Sequence, residues 1–314
     1  MTKLIIQIPC YNESENILAT LNDLPKEIAG VDEIEILIIN DGSEDDTAEK
    51  AKEWGASVVD IKTNKGLANA FRTGLQECLN RGADIIVNTD GDNQYCAKDI
   101  EKLLQPILKG EADISIGARD IFSIKEFSPI KKILQKFGSF ALRMLSTTEV
   151  DDAPSGFRAF SRNAALRLNV FDNYTYTMET LIQAGAKGLK VASIPIRVNK
   201  QTRKSKLVKN IFDYVFKSMK TTIRMFIVYR PFRFFAFWAL MLGIVGLFLV
   251  ARFIWYYYTG NGNGHIQSLI FSAIFLITSI QLVIIAIIGD LLSINRKLLE
   301  DIQTRIRKME INNK

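Results

Sequence analysis

Apolar runs alternate with amphipathic stretches along the first part of the chain. The runs predict strands at residues 4–8, 35–40, 57–61, 84–88 and 113–117, because short apolar segments bounded by turn residues are typical of buried strands. The stretches between them have apolar residues at helical spacing and predict helices at 14–24, 46–54, 67–80 and 99–108. This alternation predicts an α/β domain in which helices cover both faces of a mostly parallel sheet.

The last third of the chain is much more apolar. Residues 234–251 and 266–289 contain no charged side chain, and each segment is long enough to cross a bilayer as a helix. The aromatic residues at 255–258 are typical of the belt that membrane helices place at the interface. Residues 207–229 mix Lys and Arg with Ile, Phe and Met at helical spacing, which predicts interfacial helices lying on the bilayer. We therefore expect an integral membrane protein.

The charges beside these spans predict the topology. Apart from Arg252, which lies near the far end of the first span and can snorkel, the basic residues beside the spans gather on one side, and the loop at 259–267 contains neither Lys nor Arg. They are Arg224, Arg230 and Arg233 before the first span, and Arg296, Lys297, Arg305 and Arg307 after the second. The positive-inside rule then places both termini and the first domain in the cytoplasm. The expected limits are an α/β domain at 1–206, interfacial helices at 207–230, two spans at 231–290 and a helical tail at 291–314.

The tail has charged residues at helical spacing between positions 291 and 311. This pattern fits a helix that packs against a neighbouring subunit and so gives a homo-oligomer. It fits a solvated helix equally well.

The composition excludes several classes of function. The net charge is +6, but the basic residues flank the apolar segments and form no aromatic-interleaved motif, so we expect no nucleic-acid partner. The one histidine, His265, lies in a Gly- and Asn-rich loop, which excludes a Ser-His-Asp triad and an HExxH zinc site. The three cysteines are far apart and fit reduced thiols. Any chemistry must therefore use carboxylates, Arg, Lys, hydroxyl groups and metal.

Acidic residues follow three of the predicted strands. Glu13 comes shortly after the first strand, Asp41 after the second, and Asp90 and Asp92 after the fourth. Ligands bind outside the carboxyl ends of the strands in this class of fold, so we expect these groups to share one edge of the sheet. No G-x-G-x-x-G follows the first strand, which disfavours a dinucleotide-binding dehydrogenase.

The segment TDGDNQY at 89–95 places two carboxylates one residue apart. Such a pair offers hard oxygen ligands that suit Mg2+ or Mn2+, ions that keep waters and accept the phosphate oxygens of a nucleotide. Taken alone, Asp-Gly-Asp after a strand is commonly just a turn. The segment by itself therefore leaves a metal site and a plain turn as alternatives.

Five motifs occur in order along the chain. They are PCYNE at 9–13, NDGSEDDT at 40–47, NKGLANAFRTG at 64–74, TDGDNQY at 89–95 and DAPSGFRAF at 152–160. With these motifs, residues 1–210 resemble the inverting family 2 glycosyltransferases of the GT-A fold. Within that family the chain is most similar to the branch of dolichyl-phosphate-mannose synthase and the bacterial polyprenyl-phosphate glycosyltransferases. The resemblance implies a GT-A domain that binds a nucleotide sugar together with Mg2+ or Mn2+.

The resemblance also implies roles for single residues on the donor side. The nucleotide pocket would be formed by Pro9, Tyr11, Glu13, Asp41, Lys65, Gly66 and Asp90, with Asp41 addressing the base. The metal would be surrounded by Asp90, Asp92 and Gln94, with Asp92 as the principal ligand. After the predicted strand at 189–198, the residues Arg203, Ser205 and Lys206 lie where relatives carry a loop that closes on the donor diphosphate. Arg203 replaces an expected glycine there, and a basic membrane-facing loop is the alternative.

A phosphate acceptor needs cationic donors. Arg119 is the first candidate, because its guanidinium offers a bidentate fork for phosphate oxygens. Ser155 is a second, and Lys131 and Gln135 occupy positions where related synthases have an Arg and a Ser. Asp152 is either a catalytic carboxylate that orients the acceptor or the metal's waters, or one partner of a salt bridge to Arg158.

We therefore expect an inverting, metal-dependent enzyme with Asp92, Arg119 and Asp152 as its catalytic groups. It would transfer a hexose from a UDP- or GDP-linked sugar to undecaprenyl or dolichyl phosphate in the plasma membrane of a prokaryote. A lipid phosphate is already anionic near neutral pH, so the reaction needs no strong general base. The alternatives are transfer to a lipid-linked saccharide or diacylglycerol, and a non-catalytic membrane scaffold.

Overall fold

The computed structural model describes residues 1–120, 148, 150–171, 175–199, 211–260 and 265–312. The chain divides into two compact units. The first comprises Met1–Thr222 together with Gln303–Lys314, and the second comprises Ile223–Ile302.

A seven-stranded sheet forms the centre of the first unit. Its strands are β1 (Lys3–Cys10), β2 (Glu33–Asp41), β3 (Ser57–Ile61), β4 (Ile85–Asn88), β5 (Ile114–Arg119), β6 (Arg158–Ser161) and β7 (Val191–Ile196). They are ordered β3-β2-β1-β4-β6-β5-β7, and only β6 runs antiparallel to its neighbours. The predicted mostly parallel sheet is confirmed.

The sequence pattern did not predict β6. This strand has only four residues and lies inside the motif DAPSGFRAF, so it is too short to show a period of two. It pairs Ala159 with Val87 of β4 and with Ser115 of β5. The motif therefore enters the middle of the sheet, and the residues just before the strand lie beside the end of β4.

Helices precede or follow the strands along the chain. In the first unit they are α1 (Ile17–Asp23), α2 (Thr47–Trp54), α3 (Leu67–Asn80), a 3-10 turn (Ala97–Asp99), α4 (Ile100–Leu108), α5 (Arg162–Arg167) and α6 (Thr177–Ala186). The apolar positions of β1 pack against α1 and α4, where Ile17, Leu21 and Leu103 are fully buried. This core leaves the loops at the carboxyl ends of β1, β2 and β4 to form a site.

A buried carboxylate joins the start of α4 to the end of β7. Asp99 is fully buried and accepts hydrogen bonds from the backbone N–H of Arg197 (2.8 Å) and from its guanidinium, and Lys102 Nζ lies 2.9 Å from the same carboxylate. Burial by itself raises the pKa of Asp99, but these donors outweigh burial and lower the pKa to about 2. The ionised carboxylate therefore stabilises the folded chain.

Asp99→Asn should lower the free energy of unfolding at neutral pH by about 1–3 kcal/mol, because charge-assisted hydrogen bonds are lost. The pKa of Asp99 is lower in the folded chain than in the unfolded chain, where it is about 3.9. The contribution is therefore complete above about pH 4 and is lost as the pH falls toward 2. Melting temperatures would be measured on the full chain in detergent. The difference in melting temperature between Asp99→Asn and wild type should become smaller as the pH is lowered. The exposed Glu111→Gln serves as control, and a pH-independent gap would contradict the assignment.

The second unit is built from long apolar helices. The chain continues as α7 (Ile211–Tyr229), α8 (Pro231–Tyr258) and α9 (Ile266–Asn312). Both α8 and α9 are long and apolar enough to cross a membrane. The predicted second span and the predicted tail belong to one continuous helix, α9.

Small residues bring α8 and α9 together. Ser279 Oγ donates a hydrogen bond to the carbonyl of Ala239 (2.7 Å), and a Cβ at Gly246 would lie 2.8 Å from Leu276 Cγ. Close approach over small residues is typical of helix pairs in membranes. Large apolar side chains such as Leu240 and Phe248 point outward and are 64% and 66% exposed. These helices fit a membrane protein better than the core of a soluble one.

Candidate active site

The sheet order brings the acidic loops together at one edge. β2, β1 and β4 are neighbours and all run parallel, with Cys10 paired to Asn40 and Gln7 paired to Asn88. The residues that follow these strands therefore emerge side by side. Of the predicted nucleotide residues, Pro9 and Asp41 lie within β1 and β2 and are buried, while Tyr11 is partly exposed.

The loops after β1 and β2 interlock through hydrogen bonds. The backbone N–H of Asn12 donates to Ser43 Oγ (2.9 Å), and Asn12 Oδ1 accepts from the backbone N–H of Glu44 (2.8 Å). Asn12 has a φ of 53°, a left-handed conformation that Asn tolerates better than most residues. Beside these loops lies a cavity of about 530 Å³, whose lining includes Tyr11, Ser43 and Asn64. The cavity combines an aromatic ring with polar groups, as a nucleoside site requires.

Asp41 fixes the turn that precedes α3. Its carboxylate accepts hydrogen bonds from the backbone N–H groups of Lys65 (3.0 Å) and Gly66 (2.8 Å). Gly66 has a φ of 89°, which favours glycine, and a Cβ at Gly42 would lie 2.7 Å from the backbone nitrogen of Asn64. Burial raises the pKa of Asp41 above its usual value, although both N–H groups oppose the rise. Asp41 therefore contacts two of the other residues predicted for the nucleotide pocket, Lys65 and Gly66.

Asp90 and Asp92 lie in the loop after β4, and both are half-buried. Asp92 Oδ1 accepts a hydrogen bond from the backbone N–H of Gln94 at 3.2 Å. Burial and the neighbouring charge of Asp92 raise the pKa of Asp90 to about 7, while Arg119 opposes the rise. Glu13 is buried nearby and adds further negative charge. Carboxylates crowded in this way repel one another, and a cation relieves that repulsion.

The donor set fits a cation that obtains part of its coordination from a substrate. No group of three or more His, Cys, Asp or Glu side chains among the described residues is arranged to hold a metal ion. Two half-buried carboxylates are too few for a closed protein site, but Mg2+ and Mn2+ are commonly held by one or two carboxylates plus phosphate oxygens and water. Asp90 and Asp92 would hold such an ion, with Gln94 beside them.

Tyr95 links the acidic loop to the motif DAPSGFRAF. Its hydroxyl group accepts a hydrogen bond from the backbone N–H of Gly156 (3.1 Å), and it lies close enough to Asp90 to lower the pKa of that carboxyl group. A Cβ at Gly156 would lie 3.0 Å from Asp90 Oδ1, so this position leaves no free space for a side chain. Below it, Asn88 Nδ2 donates to the carbonyl of Gly156 and to the hydroxyl of Tyr176. This buried network holds the backbone of Gly156 close against the Asp90 carboxylate.

Tyr95→Phe should weaken Mn2+ binding about tenfold, since removal of a group that orients a metal ligand costs about 10- to 100-fold in affinity. The measurement is calorimetric titration of Mn2+ into the full chain in detergent with UDP or GDP present. Tyr176→Phe is the matched control, because it removes a hydroxyl from the same network that bonds Asn88 and Gly156. We expect Tyr176→Phe to lower the melting temperature and to keep its metal affinity. Equal affinities for wild type and Tyr95→Phe would contradict the role of Tyr95.

Arg119 and Asp152 form a buried ion pair. Arg119 Nε and Nη2 donate to the two oxygens of Asp152 at 2.6 and 3.1 Å, and Asp152 is fully buried. The guanidinium carbon lies 5.9 Å from the centre of the Tyr95 ring. Arg119 Nη1 has no hydrogen-bond partner among the described residues. Asp152 thus holds Arg119 with one donor edge still available to a ligand.

Arg158 has partners other than a carboxylate. Its guanidinium donates to the carbonyl groups of Ala153, Ser155 and Thr177 and to Thr180 Oγ1. Burial lowers its pKa to about 10. Asp152 does form a salt bridge, as one of the two alternatives predicted, but its partner is Arg119 and not Arg158.

The remaining candidates fall into two groups. Ser155 is fully buried, and its hydroxyl has no hydrogen-bond partner among the described residues. Lys131, Gln135, Arg203, Ser205 and Lys206 lie outside the described residues. Their assignments stay predictions.

Sequence reasoning did not assign roles to Tyr95, Asn88, Gly156 or Tyr176. Tyr95 lies inside the motif TDGDNQY and Gly156 inside DAPSGFRAF, so membership of these motifs could have indicated both as site residues. Asn88 is a fully buried amide at the end of an apolar strand, where an unpaired polar group would be costly. That position indicates a hydrogen-bonded network, but the sequence does not show its partners.

The fold and the site define an α/β enzyme that places carboxylates at the carboxyl edge of its sheet. Residues 5–168 match the family Glycosyl transferase family 2. The chain belongs to this family and is a glycosyltransferase.

Two curated relatives and one solved structure illustrate the similarity. The UDP-N-acetylglucosamine–dolichyl-phosphate N-acetylglucosaminyltransferase of Methanococcus voltae is 33% identical, over 60% of this chain and 83% of its own. The undecaprenyl-phosphate mannosyltransferase of Micrococcus luteus is 25% identical, over 65% of this chain and 87% of its own. Glucosyl-3-phosphoglycerate synthase of Mycobacterium tuberculosis, solved with Mn2+ and UDP, matches with a TM-score of 0.57 at 19% identity, over 72% of this chain and 79% of that one. The solved structure confirms the predicted GT-A fold.

Proposed function

We propose that this glycosyltransferase moves a hexose from a UDP- or GDP-linked sugar to a membrane polyprenyl phosphate, undecaprenyl or dolichyl, with inversion at the anomeric carbon. One observation carries the proposal: the Asp90 and Asp92 carboxylates lie at the same sheet edge as a nucleoside-sized cavity. Two relatives named for transfer to a dolichyl or undecaprenyl phosphate support the acceptor class.

The donor side follows from the contacts of the described residues. Tyr11 and the loop at Ser43 offer a wall for the nucleoside, and the Asp41 carboxylate holds the backbone of Lys65 and Gly66 beside it. Glu13 and Asp41 are hydrogen-bond acceptors, so they suit hydroxyl and N–H groups of the nucleoside rather than phosphate. Mg2+ or Mn2+ held by Asp90 and Asp92 would supply positive charge for the departing diphosphate. The relative solved with Mn2+ and UDP supports this choice of ion.

On the acceptor side, Arg119 is the proposed phosphate donor. Asp152 fixes two of its nitrogens and leaves Nη1 for an acceptor oxygen. An anionic phosphate oxygen attacks the anomeric carbon from the face opposite the nucleotide. The bond from that carbon to the diphosphate oxygen breaks, and the nucleoside diphosphate leaves with the bonding electrons. No proton has to be removed from the nucleophile.

The apolar helices support the location of the reaction. With α8 and α9 in the bilayer, the basic residues before α8 and in the second half of α9 favour a cytoplasmic catalytic domain in a prokaryotic plasma membrane. A water-soluble donor then meets a lipid-borne acceptor at the membrane surface.

The full chain in detergent with Mn2+ tests the proposal. Radiolabelled GDP-mannose, UDP-glucose, UDP-galactose and UDP-N-acetylglucosamine would each be incubated with undecaprenyl phosphate or dolichyl phosphate. We expect one donor to give a labelled lipid that releases its sugar in mild acid, as a glycosyl phosphate does. Labelling of a lipid-linked saccharide or diacylglycerol, with none of polyprenyl phosphate, would favour the alternative acceptors. Donor that stays intact with every acceptor would favour the non-catalytic scaffold.

A further inference from the structure

The loop that carries Asp90 and Asp92 is fastened on both sides. On one side α1 reaches it, since Thr20 Oγ1 donates to the carbonyl of Gly91 (3.0 Å) and Asn93 Nδ2 donates to Asp23 (2.9 Å). On the other side the chain leaves β7 and runs along the loop at residues 197–199. Tyr95 and Val198 form an isolated antiparallel bridge there. The loop therefore does not depend on its own sequence alone for its shape.

Asn199 makes the densest set of contacts on that second side. Its backbone N–H donates to the carbonyl of Gln94 (2.8 Å). Its side-chain Nδ2 lies 3.0 Å from the carbonyl of Asn93, 3.3 Å from Asn93 Oδ1 and 3.3 Å from the carbonyl of Tyr95. The backbone N–H and the side-chain amide of Asn199 together contact all three residues that follow Asp92.

The backbone at Asn93 is where such support is needed. Asn93 has a φ of 54°, and Asn12 is the other non-glycine residue with a positive φ among those described. Asn tolerates a left-handed conformation better than most residues, but the conformation remains less favourable than it is for glycine and persists when surrounding contacts hold it. Because Asn93 follows Asp92 directly, a change of its φ would turn the Asp92 carboxylate and the Gln94 backbone that donates to it.

We infer that Asn199 is a positioning residue for the metal-binding loop. This inference rests on the proposed function, because it concerns the same Asp90 and Asp92 carboxylates. Asn199 would act through Asn93 rather than by binding substrate or metal itself. Its amide holds Asn93 in the left-handed conformation and thereby sets the direction of the Asp92 carboxylate. Through this contact the segment that follows β7 supports the donor site from a residue 106 positions after Asn93.

Mn2+ titration of the full chain in detergent tests the inference. Asn199→Ala removes the donor, and Asn199→Asp keeps the shape but presents an oxygen to the same carbonyl groups. We expect both variants to bind Mn2+ about tenfold more weakly than wild type in the presence of UDP or GDP, in line with other groups that orient metal ligands. We expect nucleotide affinity without metal to stay as in wild type. A structural role alone would lower the melting temperature and leave the Mn2+ affinity as it was.

Two further variants sharpen the test. Asn93→Gly in the Asn199→Ala background should recover most of the affinity, because glycine adopts a positive φ without strain. Asn80→Ala removes a half-buried amide at the far end of α3 and should match wild type. If wild type binds Mn2+ and both Asn199 variants bind it with the same affinity as wild type, the inference is overturned and the proposed function is unaffected. Wild type that binds no Mn2+ with either nucleotide would overturn both.

Discussion

Asp92→Ala should reduce turnover by about 1,000-fold, which is about 4 kcal/mol of transition-state stabilisation. Asp92 is half-buried and its carboxylate accepts a hydrogen bond from the backbone N–H of Gln94, so its removal should cost the fold little. Under the proposed function the loss should come from the metal, because Asp92 and Asp90 would hold the cation that stabilises the departing diphosphate. Initial rates with the active donor, together with Mn2+ titration, measure both effects.

Asp84→Ala is the matched control for Asp92→Ala. Asp84 lies just before β4, at the opposite end of the strand that leads to Asp92, is also half-buried, and accepts one backbone N–H, from Lys3 at 2.9 Å. We expect Asp84→Ala to keep turnover and Mn2+ affinity within about twofold of wild type, as surface changes away from a site usually do. Unchanged turnover in Asp92→Ala would refute the metal hypothesis, and equal losses in both variants would assign the effect to the stability of β4.

The sequence predicted the placement of the residues assigned to the donor better than the placement of those assigned to the acceptor. Glu13, Asp41, Asp90 and Asp92 follow or end apolar strands, and parallel strands place their carboxyl ends together, so periodicity and one topological rule were enough to bring these groups to one edge. Gly66 also had a local signal, since its positive φ belongs to the turn that begins α3. These predictions needed only local pattern and strand direction.

The acceptor side depends on contacts that no local pattern contains. Arg119 and Asp152 are 33 positions apart. From the sequence, Arg158 was the expected salt-bridge partner of Asp152. The position of β6 explains why Asp152 pairs with Arg119 instead. This four-residue strand enters the sheet so that Asp152 lies at the end of β5 and Arg158 is buried among carbonyl groups. Asn199 was missed for the same reason, because its partners are about a hundred residues away.

Asp152→Ala should lower the free energy of unfolding by about 3–5 kcal/mol, because it leaves the Arg119 guanidinium buried without its partner. Thermal denaturation of the full chain in detergent measures the loss, and turnover at a temperature where the variant remains folded measures the effect on catalysis. We expect turnover to fall as well, since Arg119, the proposed donor to the acceptor phosphate, loses two hydrogen bonds that fix its guanidinium. Asp152→Asn keeps the shape of the side chain and should show a smaller loss of stability.

A double variant separates the structural part of this pair from the catalytic part. Arg119→Met combined with Asp152→Leu removes both charges together, and replacing a buried ion pair by apolar groups is often neutral for stability. Its melting temperature should therefore exceed that of Asp152→Ala, while turnover should stay low because no guanidinium remains for the acceptor phosphate. Recovery of both stability and turnover would show that the pair only holds β5 against the loop before β6. A wild-type melting temperature in Asp152→Ala together with low turnover would make Asp152 itself the group that acts on the substrate.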